Sequence, residues 1–248
     1  MVAVGYRGDT FHGSQIQPNV RTVQGTIVNS IKKIGWWSDG CLGMSSRTDA
    51  GVSVRMNLAR LDLPDAVSGS VDERRVLRAL NDHLPDDIVA WGAMRVPERS
   101  PSRPVISRKY YYRSEISRRW PVDVDMGYLQ EVCSIFEGHH DFSNFCRVEE
   151  GRETERTVRE CKPWVNSEGR AIGISVSAQS FLWNQVRRMS SAVASVISGE
   201  IEKDDLIDSL DNPQRRVDLG MDPPEGLVLW EIDHTSLGGL GLGSSPET

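Results

Sequence analysis

Two runs, "RTVRECKPWV" (156–165) and "AIGISVSA" (171–178), are separated by five residues, four of which are Asn166, Ser167, Glu168 and Gly169. Both runs are rich in β-branched residues, and the link between them has turn composition. So short a link reverses the chain; a parallel pair would need a crossover of about a dozen residues. The two runs therefore predict an antiparallel hairpin, and the remaining segments have to be compatible with one.

They are. Short strands are predicted at "VAVGY" (2–6), at the edge from Cys41 to Ser45, and where Val52, Val54, Met56 and Leu58 alternate with Ser53, Arg55 and Asn57. Others fall at "IVAWGAMRV" (88–96), "SRKYYYRSEI" (107–116) and "GLVLWEI" (226–232). Helices intervene. Thr22 caps one over 23–34, where Val23, Ile27, Ile31 and Ile34 share a face. Further helical patterns cover 72–83, 125–137, 182–198 (stopped by Gly199) and "DDLIDSL" (204–210). Helices interspersed with hairpin-like strands predict an α+β fold with a mainly antiparallel sheet. The Pro-broken link "VPERSPSRP" (96–104) is the expected boundary between an N-terminal half, 1–100, and a C-terminal half, 101–233. The Gly/Ser-rich stretch 234–248 reads as a disordered tail.

A chain of 248 residues can bury a core without disulfides or metals. Its four cysteines, Cys41, Cys133, Cys146 and Cys161, are scattered and form no CxxC pair, so neither a disulfide framework nor a zinc site is expected. His139, His140 and Asp141 invite a metal, but adjacent histidines point in different directions, and a structural loop is the expectation there. No apolar run reaches the ~18 residues of a membrane span, and the N-terminus has no signal-peptide pattern, so a cytoplasmic location is expected. The net charge of −6 argues against a nucleic-acid binder. Its distribution does not. From Arg95 to Arg119, eight basic residues stand against Glu98 and Glu115. Such a local excess suffices for phosphate contacts, which act over roughly a Debye length, about 8–10 Å.

The segment "MSSRTDAGVS" (44–53) holds the most informative chemistry. Asp49 lies on a turn that leads into a strand, and most Asp-x-Gly turns are structural. Arg47 adds a guanidinium close enough to keep a partly buried carboxylate ionised, and an ionised carboxylate in a cleft can act as nucleophile or base.

Seven blocks in one order sharpen this: "YRGDTFHGSQIQPNVRTVQG" (6–25), "SRTDAGVS" (46–53), "NDHLPDDIVAW" (81–91), "SRKYYY" (107–112), "GHHDFSNF" (138–145), "SFLWNQVRRM" (180–189) and "PPEGLVLWEI" (223–232). Together they closely resemble the TruA family of tRNA pseudouridine synthases over residues 6 to 232. The resemblance implies two similar α+β halves in one extended, mainly antiparallel sheet, with helices on one face and an active-site cleft between the halves. It implies a homodimer acting on tRNA uridines at about positions 38–40 of the anticodon stem-loop, with no cofactor and no metal. It assigns Asp49 as the catalytic aspartate and Arg47 as the arginine that helps expel the base from its stack. Tyr110 matches the tyrosine that stacks on the uracil, a candidate to take the C5 proton, and Arg187 matches the basic partner of the aspartate. Arg103, Arg108, Lys109 and Arg113 are the expected RNA contacts beside Tyr110. Two positions depart from the common pattern: Ser14 stands where many relatives have Trp, and Ser53 where many have His. Altered packing or RNA contact is expected at both.

Two other readings compete. A non-catalytic RNA-binding module could use the same basic surface, but it has no use for a carboxylate that repels phosphates. A carboxylate-using hydrolase of glycosidic bonds needs a second acidic partner at a set separation, and the sequence names none.

Overall fold

The computed structural model describes residues 1–97, 100–102 and 105–235. The chain is α+β, and its strand pairs are mainly antiparallel. It divides into two compact units, Met1–Ile106 with the final strand from Leu229, and Ser107–Val228.

The first unit runs β1 (Val2–Tyr6), a 3₁₀ turn (Gly8–Thr10), α1 (Val23–Ile34), β2 (Leu42–Met44), β3 (Ser53–Leu61), α2 (Asp65–Ser68), α3 (Glu73–Asn81) and β4 (Ile88–Ala93). Strand β1 lies between β4 and β3, and β2 pairs with the far end of β3. Tyr6 sits opposite Val54 on one side and Ile88 on the other. Helix α1 keeps its sequence-predicted bounds because both ends are specified. The Thr22 hydroxyl accepts from the Gly25 amide at 3.3 Å, and Gly35 closes the helix in the left-handed region at φ 83°. Val23, Ile27 and Ile31 are its buried stripe. Strand β4 stops at Ala93, opposite Val2, and not at 96; beyond it the Met94 amide donates to the Met1 carbonyl at 2.9 Å. Helix α2 has only four residues, too few to show a period in sequence.

Two polar clamps brace this unit. The Asn81 carboxamide both donates to and accepts from the backbone of Ala90, at 2.8 and 2.9 Å. Asp87 takes a forked pair of bonds from Arg21 at 2.6 and 2.9 Å and a third from the Thr10 hydroxyl at 2.6 Å. The Arg21 bonds hold the Asp87 carboxyl below the usual carboxylate range.

The second unit contains β5 (Val105–Arg113, whose first two residues belong to the first unit), α4 (Met126–Ser134), β6 (Gly138–Asp141), β7 (Glu155–Val165), β8 (Ala171–Ala178), α5 (Gln185–Ile197) and α6 (Lys203–Asp211). Strand β9 (Leu227–His234) starts here and continues into the first unit. The strand order is β5-β8-β7-β6. The hairpin β7–β8 forms as predicted: the Asn166 side-chain oxygen accepts from the amides of Glu168 and Arg170 at 3.0 and 2.9 Å. Residues 138–141 are not the expected loop. They form β6, paired with β7 so that His140 faces Arg156. His139 Nδ1 lies 3.2 Å from the Thr157 hydroxyl, and His140 Nε2 lies 2.9 Å from the Glu137 carbonyl. Phe136, Phe142 and Phe145 pack ring against ring at the centre of the unit's core. All four cysteines are buried thiols. Among the described residues no helix is long and apolar enough to cross a membrane. The expected tail falls outside the described residues from 236 onward.

Candidate active site

Asp49 begins a tight turn. The Val52 amide donates back to the Asp49 carbonyl at 3.3 Å, and Gly51 takes the third position at φ 83°. That conformation is open to glycine and strained for a side-chain-bearing residue. The carboxylate therefore projects from a reversal whose backbone has one comfortable shape.

The turn is also pinned from outside. The Ser14 hydroxyl accepts from the Thr48 amide at 2.8 Å, while the Ser14 amide donates to the Thr48 carbonyl at 3.0 Å. The Tyr6 and Thr48 hydroxyls lie 2.8 Å apart. Upstream, the fully buried Asn57 carboxamide grips Ser46 twice, accepting from its amide at 3.1 Å and donating to its carbonyl at 2.8 Å. Downstream, the Ser53 hydroxyl accepts from the Gly8 amide at 3.0 Å. Gly8 is required where it stands: a Cβ there would lie 2.3 Å from the Val52 carbonyl. The two sequence departures, Ser14 and Ser53, thus have structural work of the same kind. A small hydroxyl on each side of the turn accepts from a main-chain amide.

Arg47 is exposed and, among the described residues, makes no hydrogen bond or ion pair. It does not hold Asp49. It lines a cleft of about 220 Å³ with Gln15, Gln24 and Met44.

The second unit carries the other two predicted catalytic residues. Tyr110, on β5 opposite Val176, is buried, and its ring stands edge-on to Phe181 with centroids 5.3 Å apart. Arg187 lies in the first turn of α5 and is 9% exposed. Its Nε donates to the Asp222 carbonyl at 2.8 Å, and a terminal nitrogen donates to the Asn184 side-chain oxygen at 3.3 Å. Asn184 adopts the left-handed conformation, φ 65°, and this starts α5 at Gln185, three residues after the sequence-predicted start. The Gln185 side chain folds back to accept from the Leu182 amide at 2.8 Å. Behind Arg187, the buried Asp222 carboxylate accepts from Ser117 at 3.0 Å and Ser190 at 2.8 Å. Burial pushes its pKa up, against the pull of those hydroxyls and of Arg119 and Arg187. Burial likewise pushes the Tyr112 phenol up, so it stays neutral and donates to the Pro223 carbonyl at 3.0 Å.

Of the expected RNA contacts, Arg108 donates to the Gln179 carbonyl and Lys109 lies over the Tyr111 ring, 5.5 Å from its centroid. Arg113 is exposed, 3.8 Å from Glu115. Arg103 lies outside the described residues. The ends of the basic segment serve the fold: Arg95 donates to the Ser68 and Val71 carbonyls, and Arg119 bonds Ser191, Ser195 and Leu219.

Sequence reasoning missed Asn57, Asn184 and Asp222. The alternation along 52–58 puts Asn57 on the polar face with Ser53 and Arg55, whereas the structure buries it; the other two act through loop geometry that no period reveals.

The family described as tRNA pseudouridine synthase matches residues 132–234. A tRNA pseudouridine synthase A from Methanocorpusculum labreanum is 36% identical over 92% of this chain and 77% of that protein. One from Pyrococcus furiosus is 31% identical over 94% of this chain and 83% of its own length. Among solved structures, a chain of a Cbf5–Nop10–Gar1 complex is similar at a TM-score of 0.39 and 12% identity, over 79% of this chain and 44% of that one.

Proposed function

This chain belongs to the tRNA pseudouridine synthase A family, and from that premise we propose that it converts uridine to pseudouridine at about positions 38–40 of the tRNA anticodon stem-loop, with Asp49 as nucleophile or base. It is a pseudouridine synthase, an enzyme of the isomerase class. The reaction breaks the N1–C1′ bond of the nucleoside and forms a C5–C1′ bond. The proton on C5 is lost and N1 regains one, so atoms and electrons balance without a cofactor. A carboxylate can divide this into two easier steps by adding to the base or the sugar, or can act as base at C2′.

Asp49 and Arg47 of the first unit act, in this reading, on the same uridine as Tyr110 and Arg187 of the second. Arg187 keeps the aspartate ionised where an unpaired carboxylate would protonate. Tyr110 holds the uracil by its face while the base has no bond to the sugar. Arg47 stands in for stacking lost when the nucleotide leaves its helix, a step that costs a few kcal/mol. Arg103, Arg108, Lys109 and Arg113 offset that cost through phosphate contacts.

One observation supports the assignment of Asp49 above the others. Its turn is fixed by bonds from Ser14, Asn57 and Ser53 to main-chain atoms, so the carboxylate is aimed before substrate arrives. Such preorganisation is what a nucleophile or electrostatic catalyst needs and a surface turn does not. The test is tritium release from tRNA labelled at uridine C5, with the product positions mapped by sequencing. Release with pseudouridine at the anticodon stem-loop is expected; no release from any tRNA overturns the reading. The same reading takes the enzyme to be cytoplasmic and a homodimer; light scattering of the purified chain checks the oligomeric state.

A further inference from the structure

Two motif blocks are left without a role by the chemistry above: "GSQIQ" (13–17) and "TVQG" (22–25). Their glutamines, Gln15 and Gln24, meet Met44 and Arg47 in the same cleft of about 220 Å³ beside the Asp49 turn. We infer that this cleft binds a second, non-reacting nucleobase of the RNA, unstacked next to the uridine that Asp49 serves. The inference rests on the function proposed above and adds a specificity site to it.

Three features favour a base over other occupants. First, the side chains of Gln15, Gln24 and Arg47 have no hydrogen-bond or ion-pair partner among the described residues, so two carboxamides and a planar guanidinium line the cleft uncommitted. Carboxamides read base edges by paired donor and acceptor bonds, and guanidinium planes and thioethers cover base faces. Second, a phosphate is poorly served. The cleft sits at the start of α1, where a free helix N-terminus would attract an anion. Here those amides are taken: Val23 donates to the Gly13 carbonyl at 3.3 Å, Gln24 to Ser14 at 2.9 Å and Gly25 to the Thr22 hydroxyl at 3.3 Å. Among the described residues Arg47 is the one cation that lines the cleft. Third, the volume is below the roughly 300–1,000 Å³ of sites for drug-sized ligands, and suits one heteroaromatic ring system.

Position follows from the chain. Arg47 precedes Asp49 by two residues, which span at most about 7 Å. A base in the cleft therefore belongs to a nucleotide near the target, on its own strand or facing it across the stem.

The experiment pairs a protein change with an RNA change. Transcripts carry a single abasic site at each position of the anticodon stem-loop in turn, the mapped target excepted. Dissociation constants and single-turnover tritium release at saturating RNA are measured for the wild type, Gln15→Ala and Gln24→Ala. The wild type is expected to lose about tenfold in affinity at one such position. Each variant is expected to bind intact RNA about tenfold more weakly, to show no further loss at that position, and to keep its saturating rate. Penalties that multiply overturn the inference, as does a wild type indifferent to every abasic site. Gln15 is exposed on a loop, so its variant reports even where Gln24→Ala disturbs α1. If wild-type protein releases no tritium, the parent function fails, while the binding comparison still decides whether the cleft reads a base.

Discussion

The Asp49 turn of the first unit and the Arg187 helix start of the second are both held by buried polar groups, in different ways. The backbone of the Asp49 turn is braced by neutral groups: a serine hydroxyl on Thr48, an asparagine carboxamide on Ser46, a glycine at positive φ. Around Arg187 the supports act on the side chain: a carbonyl and an amide oxygen take the guanidinium, and a buried carboxylate stands behind it. The difference follows from side-chain length. A short carboxylate is aimed by fixing its Cα. A guanidinium on a long flexible stem is aimed only by catching its end.

The contrast can be broken by substitution, beginning with the largest effect. Asp49→Asn keeps the turn and removes the charge; tritium release should fall by at least about a thousandfold while tRNA affinity stays near wild type. Arg187→Ala should lower the saturating rate by about a hundredfold and also melt earlier, because Asn184 and the Asp222 carbonyl lose a buried donor. Asn57→Ala touches no substrate. It removes two hydrogen bonds to the Ser46 main chain and should cost about 1–3 kcal/mol in denaturant unfolding, with activity falling as the turn loosens. Tyr112→Phe deletes a single bond to the Pro223 carbonyl and should cost about 1 kcal/mol by the same measure.

The smallest effect concerns pH, and it has opposite signs in the two units. Asp87 is held low by Arg21, so its contribution is present above the ordinary carboxylate pKa and lost as pH falls through the lowered value. Arg21 is 42% exposed, so the contribution is below about 1 kcal/mol. Asp222 is pushed up by burial, so its contribution is present below the ordinary pKa and lost as pH rises through the raised value. Melting temperatures across about pH 3–8 should show Asp87→Asn flattening the acid limb and Asp222→Asn flattening the decline on the alkaline side.

Local signals explain what the sequence made legible. Thr22 and Gly35 bracket α1, and the link of Asn166 to Gly169 turns the β7–β8 hairpin, because a cap or a turn is a property of a few adjacent residues. The Asp49 turn was readable for the same reason. Its supports were not, since Ser14 and Asn57 reach it from elsewhere in the chain. The start of α5 was misread because Leu182 continues the apolar period while Asn184 breaks the backbone. Residues 138–141 looked like a loop because histidines and an aspartate carry no strand period; pairing with β7 makes them a strand. In sequence Arg47 reads as a guanidinium close enough to keep Asp49 ionised, whereas its side chain lines the cleft with Gln15 and Gln24.

The central claim is that the two differently held groups serve one reaction. A double-mutant cycle in single-turnover tritium release, with Asp49→Glu, Arg187→Lys and the pair, measures that directly. The account predicts strong coupling, the double variant being little slower than the worse single one. Losses that simply multiply would mean that Asp49 and Arg187 act independently, and would contradict it.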